Sequence, residues 1–193
     1  PKDTIPEIPG YTLVWNDEFE NPNIDLTKWE YEVNGDGGGN NELQYYTDFA
    51  ENSFTENGSL IIQALKKNYN NKEYTSARIR TLNKGDWKYG RFDIRAKLPY
   101  GQGIWPAIWM LPSDWEYGGW PASGEIDIME LLGHEPYKVY GTIHYGSSSN
   151  HQFSGASYQL PASTFSAEYH LFTIEWDSIG IRWFVDGNKY HTE

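Results

Sequence analysis

The chain alternates short apolar runs with turn residues over its whole length and shows no sustained helical period. Runs of β-branched and aromatic residues are separated by Gly, Pro, Asn and Asp, a pattern typical of antiparallel strands joined by tight turns. No segment between these runs is long enough for the crossover helices that a parallel sheet requires. The pattern therefore predicts an all-β fold, built as a sandwich of two antiparallel sheets.

The individual strands can be placed from the same runs. Asn57-Gly58 is a two-residue hairpin signal between two of them. We predict strands at 11–15, 54–56, 59–65, 74–82, 89–98, 105–111, 138–145, 171–176 and 181–185, with an acidic strand between the sixth and seventh. A chain of 193 residues is an ordinary length for one all-β domain. We expect that domain over 11–193, preceded by an N-terminal extension over 1–10.

Charge and composition narrow the range of ligands. The formal net charge is −12 without a Lys/Arg cluster, which argues against nucleic acid or an anionic membrane surface as partner. The absence of cysteine excludes a disulfide framework, and no stretch approaches the roughly 18 apolar residues of a membrane span. Nine Trp and fifteen Tyr are more rings than a core needs. Exposed aromatic faces suit carbohydrates, which combine apolar patches with hydroxyl edges.

The stretch 123–132 contains three carboxylates inside an aliphatic run. Glu125, Ile126, Asp127 and Ile128 alternate, so a strand here places the two acids on one face and the isoleucines on the other. One interpretation is the solvated face of an amphipathic strand. Against it, acidic residues are depleted in strands, and like charges on one face repel each other.

Glu130 is out of phase with the other two acids. A β-bulge at Ile128-Met129 would return it to the acidic face. Three carboxyl groups would then form one ridge, with Asp127 between the two glutamates. This arrangement suits retaining glycoside hydrolysis, which needs an ionised and a protonated carboxyl group. Calcium is the rival ligand, but it prefers a flexible loop that wraps it, whereas an extended strand wraps an ion poorly.

His144 lies on the predicted strand 138–145, where a neighbouring strand can bring it beside the acids. A lone histidine on a strand is also compatible with a purely structural role. Both interpretations stay open at this stage.

The run WPASGEIDIME at 120–130 resembles the signature of glycoside hydrolase family sixteen in its bulged form, particularly that of the bacterial endo-1,3-β-glucanases called laminarinases. Further segments resemble family blocks in the family's order: 15–19, 40–46, 75–78, 89–92, 103–111 and 141–144. The resemblance implies a β-jelly roll of two stacked antiparallel sheets with a concave substrate cleft. It also implies a secreted enzyme that cleaves β-1,3-glucan by double displacement and needs no cofactor for catalysis.

By the same resemblance, Glu125 is the nucleophile, Glu130 the acid/base and Asp127 the residue that supports them. The positions implied to contact the glucan are Asn41, Arg78, Trp105, Trp109, Trp120 and His144. A structural calcium is implied at Glu18 and the Gly58 carbonyl.

Family domains continue beyond a strand such as 181–185. We therefore expect the C-terminal strands of the family fold to lie outside this chain, and the protein to be a monomer unless another chain supplies them. Two alternatives remain: a relative acting on mixed-linkage β-glucan or agarose, and a non-catalytic glucan-binding lectin of the same fold. The presence of all three acids favours the enzyme.

Overall fold

The structure is a computed structural model that describes residues 5–193. Part of the predicted extension over 1–10 therefore lies outside the described residues. Within 5–193 there are fourteen β-strands, one 3-10 turn at Gly37–Gly39 and no α-helix, and no helix there has the length and hydropathy of a membrane span. The all-β prediction is confirmed. The chain divides into two compact units, the first ending at Asp86 and the second running from Trp87 to Glu193.

The first unit contains six short strands. They are β1 (Glu30–Tyr31), β2 (Gln44–Tyr46), β3 (Ser53–Glu56), β4 (Ser59–Ile62), β5 (Tyr74–Ser76) and β6 (Ile79–Arg80). β1 pairs with β6 and β3 with β4 in antiparallel fashion, whereas β2 and β5 are parallel. The predicted hairpin at Asn57-Gly58 is confirmed, since both residues have positive φ, as a two-residue type I′ turn requires.

The predicted first strand at 11–15 is wrong, because the structure assigns no strand there. Leu13 and Val14 are 60% and 78% exposed. Alternating apolar residues form a strand only where another strand supplies hydrogen bonds and a core covers one face. Within residues 5–193 no other strand pairs with this segment, and only Trp15 in it is half-buried.

The second unit is a sandwich of two four-stranded antiparallel sheets. Its strands are β7 (Gly90–Ala96), β8 (Ala107–Met110), β9 (Glu125–Leu131), β10 (Lys138–Ser147), β11 (Asn150–Gln159), β12 (His170–Trp176), β13 (Ile181–Val185) and β14 (Asn188–Thr192). One sheet has the order β11-β10-β9-β8 and the other β14-β13-β12-β7. The prediction of a two-sheet sandwich is confirmed.

The core of the second unit combines residues of both sheets. Its buried members are Leu98, Ile128, Met129, Leu131, Val139, Phe165, Phe172, Ile174, Ile181, Trp183 and Val185. Burial of each large apolar side chain contributes about 1.5–3 kcal/mol to folding. β9 is a central strand of its sheet, so this core fixes the strand that carries the three acids.

Candidate active site

A β-bulge interrupts β9 at the predicted position. Asp127 lies opposite Thr142 of β10 and Glu130 lies opposite Tyr140, so three steps along β9 match two steps along β10. The extra residue falls at Ile128-Met129, and the pairing of β9 with β8 shifts at the same place. The predicted bulge is confirmed.

The bulge explains how consecutive residues can share one face of the sheet. Ile128 and Met129 are both buried in the core, at 5% and 1% exposure. The residues opposite the three acids are 144, 142 and 140 of β10. These positions alternate along a strand and therefore point to one face. Glu125, Asp127 and Glu130 consequently share the face away from the core, which a straight strand would not allow.

Two tryptophans hold the outer carboxyl groups by hydrogen bonds. The Trp120 indole N–H donates to Glu125 Oε2 at 2.6 Å, and the Trp105 indole N–H donates to Glu130 Oε1 at 3.0 Å. Both tryptophan residues remain 46% exposed. Each ring therefore orients one glutamate and also presents apolar surface beside it.

Asp127 lies between the glutamates and is buried, with 2% of its surface exposed. Burial, followed by the charges of Glu130 and Glu125 and a hydrogen bond with Glu125, raises the pKa of Asp127 to about 9. Its carboxyl group is thus protonated at neutral pH and can donate a hydrogen bond to Glu125.

The surroundings of Glu130 also raise the pKa of its carboxyl group. Burial raises the pKa of Glu130, the hydrogen bond from Trp105 lowers it, and the charge of Glu125 raises it further. The net shift is upward. Glu130 and Glu125 thus lie in different environments. Two carboxyl groups in different environments can take the roles of acid and base on the same substrate.

His144 lies beside the acids, in agreement with the interpretation that a neighbouring strand brings it there. It is opposite Glu125 in the strand register, and its Nε2 lies 3.3 Å from Asp127 Oδ2. Its Nδ1 is 2.9 Å from Nε2 of His151 on β11. Burial lowers the pKa of His144, and the neighbouring His151 lowers it as well, against the opposing effect of Glu125. These effects favour the neutral form of the imidazole.

The match with known proteins decides the family. The model of the family described as "Glycosyl hydrolases family 16" matches residues 41–193, which is more than half of the chain. The chain belongs to glycosyl hydrolase family 16. The resemblance inferred from residues 120–130 is confirmed.

Several known proteins are similar to almost the whole chain. The "Beta-glucanase" of Rhodothermus marinus is 47% identical, over 98% of this chain and 68% of the relative. The "Glucan endo-1,3-beta-glucosidase A1" of Niallia circulans is 43% identical over 97% of this chain, which spans only 30% of that relative. The X-ray structure of the laminarinase from Rhodothermus marinus superposes with a TM-score of 0.88 at 47% identity, covering 93% of this chain and 73% of the other. These matches confirm the β-jelly roll.

The other implied contact residues divide between the two units. Trp109 lies opposite Asp127 on β8, on the face that carries the acids. Asn41 and Arg78 belong to the first unit, where Asn41 is exposed with φ +57°. Arg78 Nε lies 3.1 Å from Glu32 Oε2. The glucan contacts implied for Asn41 and Arg78 stay predictions.

The calcium implied by family 16 also falls in the first unit. Glu18 and Gly58 are both exposed. One carboxylate and one carbonyl supply fewer than the roughly six to eight oxygens that calcium takes, so these two residues alone do not complete such a site.

Sequence reasoning missed His151. It lies on a polar strand that was not predicted, and no local pattern ties it to β10. Only the pairing of β10 with β11 brings it to His144.

Proposed function

We propose that this chain is an endo-acting β-1,3-glucanase that hydrolyses laminarin-like polysaccharides with retention of anomeric configuration. The observation that carries the proposal is the bulge at Ile128-Met129, because it aligns Glu125, Asp127 and Glu130 on the face of the sheet that points away from the core. Membership of a family of glycosyl hydrolases, and relatives named for action on β-1,3-glucans, support it.

In the first step, Glu125 attacks the anomeric carbon of the bound glucan and forms a glycosyl ester. The glycosidic bond breaks as the departing oxygen takes the proton of Glu130. The raised pKa of Glu130 supports this role, because the acid must hold its proton until the bond breaks.

In the second step, the ionised Glu130 removes a proton from water. The water oxygen bonds to the anomeric carbon, and the ester to Glu125 breaks. Two displacements on opposite faces restore the original configuration. The steps use only carboxyl groups of the chain and water, so they need no cofactor.

Asp127 supports both steps through Glu125. In its protonated state it donates a hydrogen bond to the Glu125 carboxylate, as the Trp120 indole does at 2.6 Å. These two donors hold the nucleophile in one orientation. They also stabilise the carboxylate when the ester breaks and Glu125 leaves.

We further propose that the glucan contacts the implied positions Asn41, Arg78, Trp105, Trp109, Trp120 and His144. The exposed indole rings of Trp105 and Trp120 suit the flat apolar faces of glucose units. A structural calcium on Glu18 and the Gly58 carbonyl belongs to the same proposal, as does action outside the cell, where polymeric glucans are found.

A panel of polysaccharides tests this function. The chain is incubated with laminarin, barley β-glucan, agarose and carrageenan, and chain lengths are followed by chromatography. We expect laminarin to give intermediate oligosaccharides from the earliest times, as internal cleavage requires. Release of glucose alone would contradict the endo mode, and cleavage restricted to another polymer would contradict the linkage. Laminarin binding without cleavage would favour a lectin. The Glu125→Gln variant is the control for contaminating activity.

A further inference from the structure

We propose that Glu125, Asp127 and His144 form a binding site for a divalent d-block cation such as Zn²⁺, and that the bound cation excludes the glucan. The second half of this statement rests on the function proposed above. The three side chains each offer one ligand atom, and these atoms all lie within 4.8 Å of one another. No other group of three such side chains meets this criterion within residues 5–193.

The spacing of His144 and Asp127 matches that of two ligands in a zinc site. Ligand atoms on a tetrahedral zinc ion, with bonds of about 2.0–2.2 Å, are roughly 3.3–3.5 Å apart. His144 Nε2 and Asp127 Oδ2 are 3.3 Å apart without an ion. These two residues belong to paired strands, so the sheet itself fixes the spacing. Glu125 is opposite His144 in the register, and its longer side chain can adjust to complete the set.

A separate observation points to a ligand at this place. Asp127 Oδ2 is buried and has no hydrogen-bond partner. A buried carboxyl oxygen normally finds such a partner, because leaving it without one costs free energy. A cation between Asp127 and His144 would satisfy this oxygen.

His151 completes the arrangement from behind His144. A metal-bound histidine uses one ring nitrogen for the ion and the other for a hydrogen bond that fixes its tautomer. His144 directs Nε2 to Asp127, and its Nδ1 lies 2.9 Å from His151 Nε2. With the proton on Nδ1, His144 donates to His151 and keeps a free lone pair on Nε2. His151 is a positioning residue for the cation, packed against the Trp120 ring at 4.7 Å.

The donor set selects the kind of ion. Binding of the ion displaces the proton of Asp127. The resulting set of one imidazole and two carboxylates suits Zn²⁺ or Cu²⁺, whereas Ca²⁺ and Mg²⁺ prefer six or more oxygens. Three protein ligands leave one position for water. An ion on Glu125 occupies the carboxylate that must attack the sugar, so the expected effect is inhibition competitive with the glucan.

Direct binding measurements test the site without reference to activity. The tag-free chain is titrated with Co²⁺, followed by its visible absorption, and with Zn²⁺, followed by calorimetry. We expect one ion per chain. His144→Gln should weaken binding at least tenfold, and His151→Gln, at an exposed position, by about tenfold. The matched control His134→Gln, an exposed histidine on the turn between β9 and β10, should bind as the wild type does. No binding by the wild type, or equal binding by His144→Gln, would overturn the site.

Kinetics test the competition. Zn²⁺ should raise the apparent KM for laminarin with kcat unchanged, and a chelator that prefers Zn²⁺ over Ca²⁺ should reverse the effect. A fall in kcat at constant KM would overturn the competition. The two proposals fail separately. If the chain binds Co²⁺ through His144 but does not cleave laminarin, the metal site is supported and the proposed function is wrong. If the chain cleaves laminarin but binds no Co²⁺, the proposed function is supported and the metal site is wrong.

Discussion

The indole N–H of Trp183 donates a hydrogen bond of 2.8 Å to the backbone carbonyl of Asp127. Trp183 lies on β13 of one sheet and is fully buried, while Asp127 lies on β9 of the other sheet, immediately before the bulge. A bulge disrupts the regular ladder and needs other partners for its backbone groups. The core of the sandwich thus supports the irregular segment that aligns the acids.

Trp183→Phe should destabilise the protein by about 1–3 kcal/mol, because it keeps most of the ring but leaves the Asp127 carbonyl without its donor. Chemical unfolding followed by circular dichroism measures the change. Trp115→Phe is the matched control, since Trp115 is 38% exposed; its effect should stay within about 0.5 kcal/mol. Equal stability of the wild type and Trp183→Phe would show that this bond does not support the bulge.

Gly141 lies on β10 across from the bulge, and a side chain there has no space. A Cβ atom would come within 2.5 Å of both Trp183 Cδ1 and the Tyr190 hydroxyl. Both neighbours are rings held in or against the core. Gly141→Ala should therefore cost about 1–3 kcal/mol of stability. Gly119→Ala serves as control, since nothing lies within 4 Å of its added Cβ. A Gly141→Ala variant with the same free energy of unfolding as the wild type would contradict the tight packing behind the acids.

The alkaline limb of the pH profile should report the proton of Glu130. The reaction needs Glu130 protonated, so kcat/KM falls as the pH rises through its pKa. Burial raises that pKa, and the bond from Trp105 opposes the rise. Trp105→Phe removes the donor that stabilises the carboxylate, so the limb should move to higher pH. Trp120→Phe, whose indole contacts Glu125 instead, should leave its position unchanged. If the alkaline limb of Trp105→Phe stayed at the same pH or moved to lower pH, its assignment to the proton of Glu130 would be wrong.

Much of the fold and the acidic ridge could be predicted because their signals are local. The phase error between Asp127 and Glu130 was enough to predict the bulge, since two apolar residues in a row must both find the core. The turn at Asn57-Gly58 could likewise be predicted from two adjacent residues, both of which adopt positive φ.

The failures have one physical cause, which is pairing between distant segments. β11 is a polar edge strand whose residues show no apolar alternation, so both the strand and His151 were missed. The segment 11–15 has the alternation but pairs with no strand among residues 5–193, so its prediction was wrong. The raised pKa of Asp127 could not be predicted from the sequence, because it results from burial, and burial depends on the neighbouring strands.

Replacing either glutamate by glutamine should lower turnover by several orders of magnitude. Glu125→Gln removes the nucleophile and Glu130→Gln removes the acid, while both side chains keep their size, so glucan binding should remain nearly intact. Release of reducing ends measures turnover, and affinity electrophoresis in laminarin measures binding. Glu116→Gln, an exposed glutamate in the loop before the acids, should keep full activity. Full activity in either of the first two variants would refute their roles.

The anomeric configuration of the newly formed reducing end tests the central claim most directly. Laminarin is digested with the wild-type chain in an NMR tube, and the anomeric proton signals are recorded before mutarotation mixes them. Attack by Glu125 followed by attack of water predicts that the β-anomer appears first and the α-anomer grows in later. Initial appearance of the α-anomer would mean a single displacement by water and would contradict the covalent role of Glu125.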